Sequence, residues 1–348
     1  MRIGFAGLGF AARNIDLPAA RLTTGAPAGG FDPVAEQRES WRVETGLPAY
    51  GSLEELFEGE GPEVVIVATP PGAHREVAEA ALKLGAHVVC EKPLADTSAD
   101  GERMAALAEE RGLSLAVLQE LRAEPIFDGL RRRIGEPGTG PLAFLQVSQL
   151  VDSPLSERGG WRAGLPSLLH AGVHLVDLTL SLFGEAPVAV SDQNWSPPRA
   201  AGDDSIHLVT IEFDGGRLAQ ITMQRAHRGG TRYLEVRADC ELASLRASRG
   251  GRAELRLGRP LSRRAGVRLE LSAGGLAWEE RDHRRIHLAR NPRNALVAGT
   301  ASQLQAMLAA IRSGVVPPSS ATEALTTMRV IEAAYASARA GRRIELAS

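Results

Sequence analysis

Lys92 is the residue in this chain best suited to acid–base chemistry. It is one of two lysines, with Lys83, among 40 basic residues. Arginine stays protonated in proteins, whereas a buried lysine can release its proton. Lys92 follows the apolar run Val88-Val89-Cys90 within Glu91-Lys92-Pro93, and a residue before proline is held to extended geometry. A second group lies downstream at His170, His174 and Asp177. On one helix these positions share a face. Histidine titrates near neutral pH, so His174 is expected to take a hydroxyl proton as general base. His170 is expected to be a second base or a substrate contact, and Asp177 to orient a ring or bind a substrate hydroxyl. Two histidines four apart on a helix also suit zinc, but the glutamate of H-E-x-x-H is absent and no outside ligand is evident, so no metal is expected. The remaining alternative is core or capping histidines without chemistry.

A third group suits phosphates. Gly7-Leu8-Gly9-Phe10-Ala11-Ala12 fits G-x-G-x-x-A between the apolar run Ile3–Ala6 and a helical stretch. In that setting the first glycine permits a tight turn and the second lets the backbone approach a pyrophosphate. The alanine keeps helix and strand close, and free N–H groups at the helix start face the phosphates. Gly7, Leu8, Gly9, Phe10 and Ala11 are therefore expected to hold a dinucleotide. Asp32 lies a little beyond the usual ~20 residues downstream. A carboxylate there bonds both ribose hydroxyls and repels a 2′-phosphate, which favours NAD and leaves NADP as the other possibility. The segment before it, Gly25–Gly30, is a weak strand former, so Asp32 has the alternative role of a turn residue before Pro33.

These groups need a frame that brings them together. Ile3–Ala6, Val64–Thr69, Val88–Cys90 and Leu113–Leu118 predict buried parallel strands. Helical patterns at Leu53–Phe57, Ala73–Leu84 and Ala99–Glu110 separate them, with Gly85 and Gly112 as stops. Alternation of this kind predicts an α/β Rossmann domain with a doubly wound parallel sheet over residues 1–120. The run at Val64–Thr69 leads into Pro70-Pro71-Gly72-Ala73-His74, and Val88–Cys90 into Glu91-Lys92-Pro93. Strand ends of an open parallel sheet are where ligands bind, so Thr69, Pro70, His74, Glu91 and Lys92 join the expected cofactor site.

From about residue 121 the pattern changes. A helix near Pro125–Ile134, a strand at Leu142–Val151 and a helix at about Leu168–Leu182 precede long alternating strands. Leu234, Val236, Ala238, Cys240 and Leu242 are expected on one face, and Val267, Leu269 and Leu271 alternate likewise. Asp214-Gly215-Gly216 is a hairpin signal. Two helices, about Asn294–Ser313 and Ala321–Ala340, and a short strand Arg343–Leu346 close the chain. The expected second domain, 121–348, is α+β with a large, mainly antiparallel open sheet, and its terminal helices are free to pack back on the first. Trp161 and Arg162 sit in a Gly-rich loop and are expected either to wall the nicotinamide pocket or to serve as packing and surface charge.

Bulk properties narrow the function classes. A chain of 348 residues exceeds the ~250–300 residues that one core usually reaches. A net charge of −2 with no long basic run argues against a nucleic-acid partner. No stretch is apolar enough to span a membrane, and Met1-Arg2-Ile3 opens directly on the apolar run without the pattern of a charged region, an apolar stretch and a cleavage site, so a soluble cytoplasmic protein is expected. Two distant cysteines, Cys90 and Cys240, are expected to be buried free thiols in a reducing cytoplasm.

Taken together, the glycine-rich start, Ala68-Thr69-Pro70-Pro71-x-x-His74, Glu91-Lys92-Pro93, Arg122-x-x-Pro125 and Gly172-x-His174-x-x-Asp177 resemble the Gfo/Idh/MocA oxidoreductases over nearly the whole chain. The resemblance implies NAD(P)-dependent hydride transfer on a sugar, inositol or related polyol. It implies that Lys92 faces both nicotinamide and substrate, that the Lys92–Pro93 bond is cis, that Arg122 contacts substrate, and that the second-domain sheet joins a homodimer or homotetramer. The family usually carries aspartate four residues before its histidine; this chain has His170 there, so the proton relay or substrate is expected to differ. Two other functions stay open: glycoside cleavage or epimerisation with a tightly held cofactor, and a non-catalytic dinucleotide sensor.

Overall fold

The structure, a computed structural model, describes all residues except 154–164, 199–203, 230–231, 251, 257–267, 273, 282–283 and 347–348. The chain divides into two compact units: Met1–Ala123 with Leu165–Leu178 and Leu296–Ala336, and Glu124–Gly164 with Thr179–Ala295 and Ser337–Ser348.

In the first unit six strands run β1 (Arg2–Ala6), β2 (Ala26–Phe31), β3 (Ala49–Tyr50), β4 (Val64–Val67), β5 (His87–Cys90) and β6 (Leu115–Val117). All pair in parallel, in the order β3-β2-β1-β4-β5-β6. The doubly wound sheet holds as expected, and its reversal point lies between β1 and β4, where such sheets bind ligands. Helices α1 (Leu17–Ala20), α2 (Ala35–Thr45), α3 (Leu53–Glu60), α4 (His74–Lys83) and α5 (Ser98–Glu110) connect the strands. Ser52 and Thr97 cap α3 and α5 by accepting from the Glu55 and Asp100 amides, satisfying otherwise orphaned donors. The weak strand former β2 is settled by packing: a Cβ at Gly30 would meet Leu8 Cδ2 at 2.4 Å and Phe5 O at 3.2 Å. Glycine is required there for close approach, which outweighs its poor propensity.

Continuing the chain, the remaining helices are α6 (Pro125–Arg133), α7 (Ser167–His170), α8 (Val173–Phe183), α9 (Ala295–Arg312) and α10 (Ala321–Ala340). Leu304, Met307, Leu308 and Ile311 of α9 join the core formed by Ile3, Phe5, Val64 and Ile66. The single helix expected over Leu168–Leu182 is two. The Gly172 amide bonds back to Ser167 O, and Gly172 O receives Leu175 and Val176, so a new helix starts at the glycine. His170 ends α7 while His174 lies in the first turn of α8, which corrects the expectation that His170, His174 and Asp177 lie on one continuous face.

The second unit holds a nine-stranded sheet, ordered β16-β15-β12-β11-β7-β10-β9-β8-β17. Its strands are β7 (Leu142–Leu150), β8 (Pro187–Trp195), β9 (Ile206–Phe213), β10 (Leu218–Gln224), β11 (Arg232–Cys240), β12 (Ser244–Arg249), β15 (Gly275–Arg281), β16 (Arg284–Arg290) and β17 (Ile344–Glu345); β13 (Arg252–Arg256) and β14 (Arg268–Ser272) pair separately. Only β7 and β10 run parallel within the nine. Leu234, Val236 and Ala238 are buried as alternation predicts, but Leu242 is 60% exposed because β11 ends at Cys240, whose amide closes a turn on Ala243 O. Cys90 is buried and Cys240 only half-buried. Val267 lies outside the described residues.

His207 on β9 is fully buried between two carboxylates, with Nδ1 2.8 Å from Asp192 and Nε2 3.2 Å from Asp204. Burial opposes the charged ring, yet the bonds and charges of both aspartates win and push it up to about 9. A folded-state value above the unfolded ~6.5 means the stabilisation is complete below about pH 6.5 and lost as pH rises through 9. Denaturant titrations are expected to show wild type losing roughly 3 kcal/mol across that window, and His207→Gln losing little there. Parallel curves for the two proteins would exclude a buried imidazolium.

Candidate active site

The carboxyl ends of β1, β2, β4, β5 and β6 carry the residues expected to do chemistry. At β1, Gly7 has φ 90°, and a Cβ on it would meet Thr69 N at 2.7 Å and Ala68 C at 2.8 Å. Only glycine lets the loop lie against the end of β4. A Cβ on Gly9 would meet nothing within 4 Å, so the loop's outer side is open for a pyrophosphate. Phe10 at its crest is 69% exposed, beside the half-buried Ala11. Asp32 accepts from Leu8 N through Oδ2 and from Val34 N through Oδ1, both at 2.9 Å. Each oxygen keeps a lone pair for a ribose hydroxyl. The open loop and the half-used carboxylate fit a dinucleotide.

His74 clamps two strand ends. Its Nδ1 lies 2.8 Å from Pro93 O and its Nε2 2.9 Å from Thr69 O. The exposed Pro70 begins the turn between them. The Lys92–Pro93 bond is cis. Lys92 Nζ donates to His170 O at 3.4 Å, so the ammonium rests on the turn that leads to His174. The His174 ring faces Glu120: Nε2 to Oε1 is 3.5 Å, and both side chains are mostly shielded.

Arg122 and Asp177 meet each other. The guanidinium binds both Asp177 oxygens and also pairs with Glu323. Asp177 is 1% exposed. Burial pushes its carboxyl up against the pull of Arg122; burial works against Arg122 as well, but its two carboxylates hold it firmly charged. Both were expected at the substrate; here the two side chains pair with each other. Trp161 and Arg162 lie outside the described residues. Two residues escaped sequence reasoning: Glu120 and Glu323. Glu120 had a usable signal, since it is a carboxylate three residues beyond the end of β6, near a strand end of the parallel sheet.

The fold and site define a nucleotide-binding oxidoreductase. Residues 1–119 match the oxidoreductase family with an NAD-binding Rossmann fold, and residues 128–246 match the C-terminal domain of the same family. The chain belongs to the Gfo/Idh/MocA oxidoreductases. It is 27% identical over 308 residues to the D-apiose dehydrogenase of Paraburkholderia graminis, covering 86% of this chain and 77% of that one. It is 26% identical over 308 residues to the scyllo-inositol 2-dehydrogenase (NADP(+)) of Bacillus subtilis, covering 84% and 82%. Among solved structures, the aldose-aldose oxidoreductase of Caulobacter crescentus complexed with glycerol shares the fold with a TM-score of 0.80 at 22% identity, covering 99% of each chain. Among the described residues, no helix is long and apolar enough to cross a membrane and no cluster of side chains suits a metal.

Proposed function

We propose that this chain interconverts a secondary alcohol and a ketone on a sugar, inositol or related polyol, using NAD, with Lys92 and His174 handling the hydroxyl proton. The observation that carries the reading is the Lys92 Nζ to His170 O contact of 3.4 Å, which sets an ammonium at a strand end beside the glycine loop's sheet and against the turn preceding His174. A bound nicotinamide supplies the two-electron redox partner for the carbinol carbon. Lys92 holds the substrate oxygen and exchanges its proton. Glu120 beside Nε2 stabilises the imidazolium once His174 has taken a proton. His170 contributes its carbonyl to Lys92 and stands as a substrate contact. Arg122, Asp177 and Glu323 fix the start of α8 and so the position of His174. The substrate class is supported by the apiose and inositol relatives.

Asp32 supports NAD over NADP. Asp32→Ala is expected to weaken NAD binding about 10–100-fold, the worth of one or two charge-assisted hydrogen bonds, and to narrow the gap to NADP. Fluorescence titration with NADH and NADPH measures both, and unchanged values would remove the ribose assignment. The wider test is an NAD- and NADP-linked screen of sugars and polyols followed at 340 nm, where no absorbance change with any of them would sink the reading.

The same proposal places the protein in the cytoplasm as a homodimer or homotetramer. Register puts Trp195, Leu208 and Leu218 on one face of the nine-stranded sheet, and they are 60%, 42% and 38% exposed, the kind of surface that favours burial in an assembly.

A further inference from the structure

His74 opens α4 and is 1% exposed. Its two ring nitrogens meet two carbonyl oxygens: Nδ1 lies 2.8 Å from Pro93 O and Nε2 2.9 Å from Thr69 O. A carbonyl oxygen only accepts, and a neutral imidazole has one N–H and one lone pair. The neutral ring therefore donates to one carbonyl and turns its lone pair on the other at hydrogen-bond distance. Only the imidazolium donates to both. In a buried site an unmade bond costs more than it does in water. The arrangement is the one a doubly protonated ring makes.

The two carbonyls belong to the two halves of the site. Thr69 lies just beyond β4, and its amide nitrogen is where a Cβ on Gly7 would collide, at 2.7 Å. The glycine loop therefore rests on Thr69. Among the described residues the Thr69 hydroxyl has no hydrogen-bond partner, so this end of β4 is held to the ring through its carbonyl. Pro93 follows Lys92, whose Nζ reaches His170 O. One buried ring thus joins the floor of the glycine loop to the peptide that carries the lysine. The influences on its charge oppose one another. Burial, the largest, pulls its proton affinity down, while the two carbonyl bonds and the carboxylates Glu91 and Asp96 pull back. The start of a helix also disfavours a cation. Glu91 accepts from the Lys92 amide through Oε2 at 3.1 Å. Asp96 reaches the turn before the ring, with Oδ2 3.5 Å from where a Cβ on Gly72 would lie. Burial wins, so the second proton arrives on the acid side of the ordinary ~6.5.

We propose that His74 is a positioning residue for both halves of the site: with two ring protons it holds Thr69 under the cofactor loop and Pro93 behind Lys92, and with one it holds only one of them. This replaces the cofactor contact expected of it, because a ring so enclosed acts through the two carbonyls. The Pro93 half of the role rests on the reading of Lys92 as the proton-exchanging group; the Thr69 half and the two ring protons do not.

Two neutral variants separate the halves. The amide nitrogen of an asparagine falls where Nδ1 sits, and that of a glutamine where Nε2 sits; each carries N–H donors at every pH. His74→Asn is expected to keep the Pro93 bond and release Thr69, so that NADH binds about tenfold more weakly, the worth of one hydrogen bond, while kcat stays within about threefold of wild type. His74→Gln is expected to do the reverse. NADH binding stays within about threefold, and kcat falls by about tenfold or more, since small displacements at a reacting centre are costly. Fluorescence titration with NADH and turnover of the substrate found in the polyol screen read the two. Variants that lose both properties alike, or neither, would overturn the positioning role. The ring protons are read on wild type by nitrogen-15 NMR, with the His74 ring assigned through its contacts to Thr69 and Pro93. Both nitrogens are expected to carry hydrogen near pH 5 and only one near pH 8. A single hydrogen near pH 5 would overturn the doubly protonated hold, and two near pH 8 would overturn its release. Failure of the catalytic reading shows separately, as wild-type turnover by Lys92→Ala, and leaves the NADH and NMR tests standing.

Discussion

Lys92→Ala is expected to lower kcat by about 10²–10⁴-fold, the usual worth of a positioned acid–base group, while NAD binds within about threefold of wild type. The ammonium sits at the end of β5 and reaches His170 O, so its removal deletes the group proposed to hold the substrate oxygen without touching the glycine loop or Asp32 at the ends of β1 and β2. Lys92→Arg is expected to rescue little. Guanidinium restores charge but not the ability to release a proton, and its planar fork does not fit a contact made by a single Nζ. Lys92→Met keeps the stem and isolates the loss of the amine from any loss of packing. His174→Ala is expected to fall by about 10²-fold, and the double variant by no more than Lys92→Ala, because groups that pass one proton act as a unit. Single-turnover rates at 340 nm with saturating NAD, beside NADH fluorescence titration of each variant, separate chemistry from cofactor binding. Wild-type turnover in both single variants would end the role assignment.

The residues in that experiment differ in how visible they were before the structure. Gly7 and Lys92 stand out because their constraints are local: a turn that excludes Cβ at Gly7, and a strand end fixed by the following proline at Lys92. The parallel sheet was legible for the same reason, since β4 is an unbroken run of buried β-branched residues and β5 is built on the buried Val88 and Val89. The partnerships were not. Asp177 and Arg122 lie far apart in the chain, and only the packing of α8 against the turn after β6 makes them a pair. Gly172 is the subtler case. A glycine within a helical pattern is tolerated or breaks the helix according to its tertiary setting, and here it breaks, so His170 and His174 stand on separate helices and the His170 carbonyl accepts from Lys92. Leu242 failed for a simpler reason: alternation carries no mark of where a strand stops.

Arg122→Met is expected to destabilise the protein by about 3–5 kcal/mol, the cost of leaving a buried partner charge uncompensated. Asp177 is 1% exposed and both its oxygens rest on the guanidinium, so no water replaces the lost donors. At roughly 2–4 °C per kcal/mol, the melting midpoint is expected to fall by about 10 °C. The sign of its pH dependence identifies the cause. Burial already pushes the Asp177 carboxyl up, and without Arg122 its proton affinity in the folded state rises further above the unfolded value. The folded variant then binds a proton the unfolded chain lacks, so its deficit is largest near pH 8 and shrinks as pH falls toward 4. Asp177→Asn is expected to cost less, because Arg122 keeps Glu323 and remains partly solvated. The double variant Arg122→Met, Asp177→Leu is expected to recover most of the loss, since apolar replacement of a buried ion pair is often neutral or better. Turnover need not recover with stability: the pair anchors α8 three residues beyond His174, and a repacked anchor that restores the fold while leaving kcat low would assign the ion pair to orientation of the imidazole. A pH-independent deficit in Arg122→Met would instead mean lost packing, and would remove the buried charge from the account.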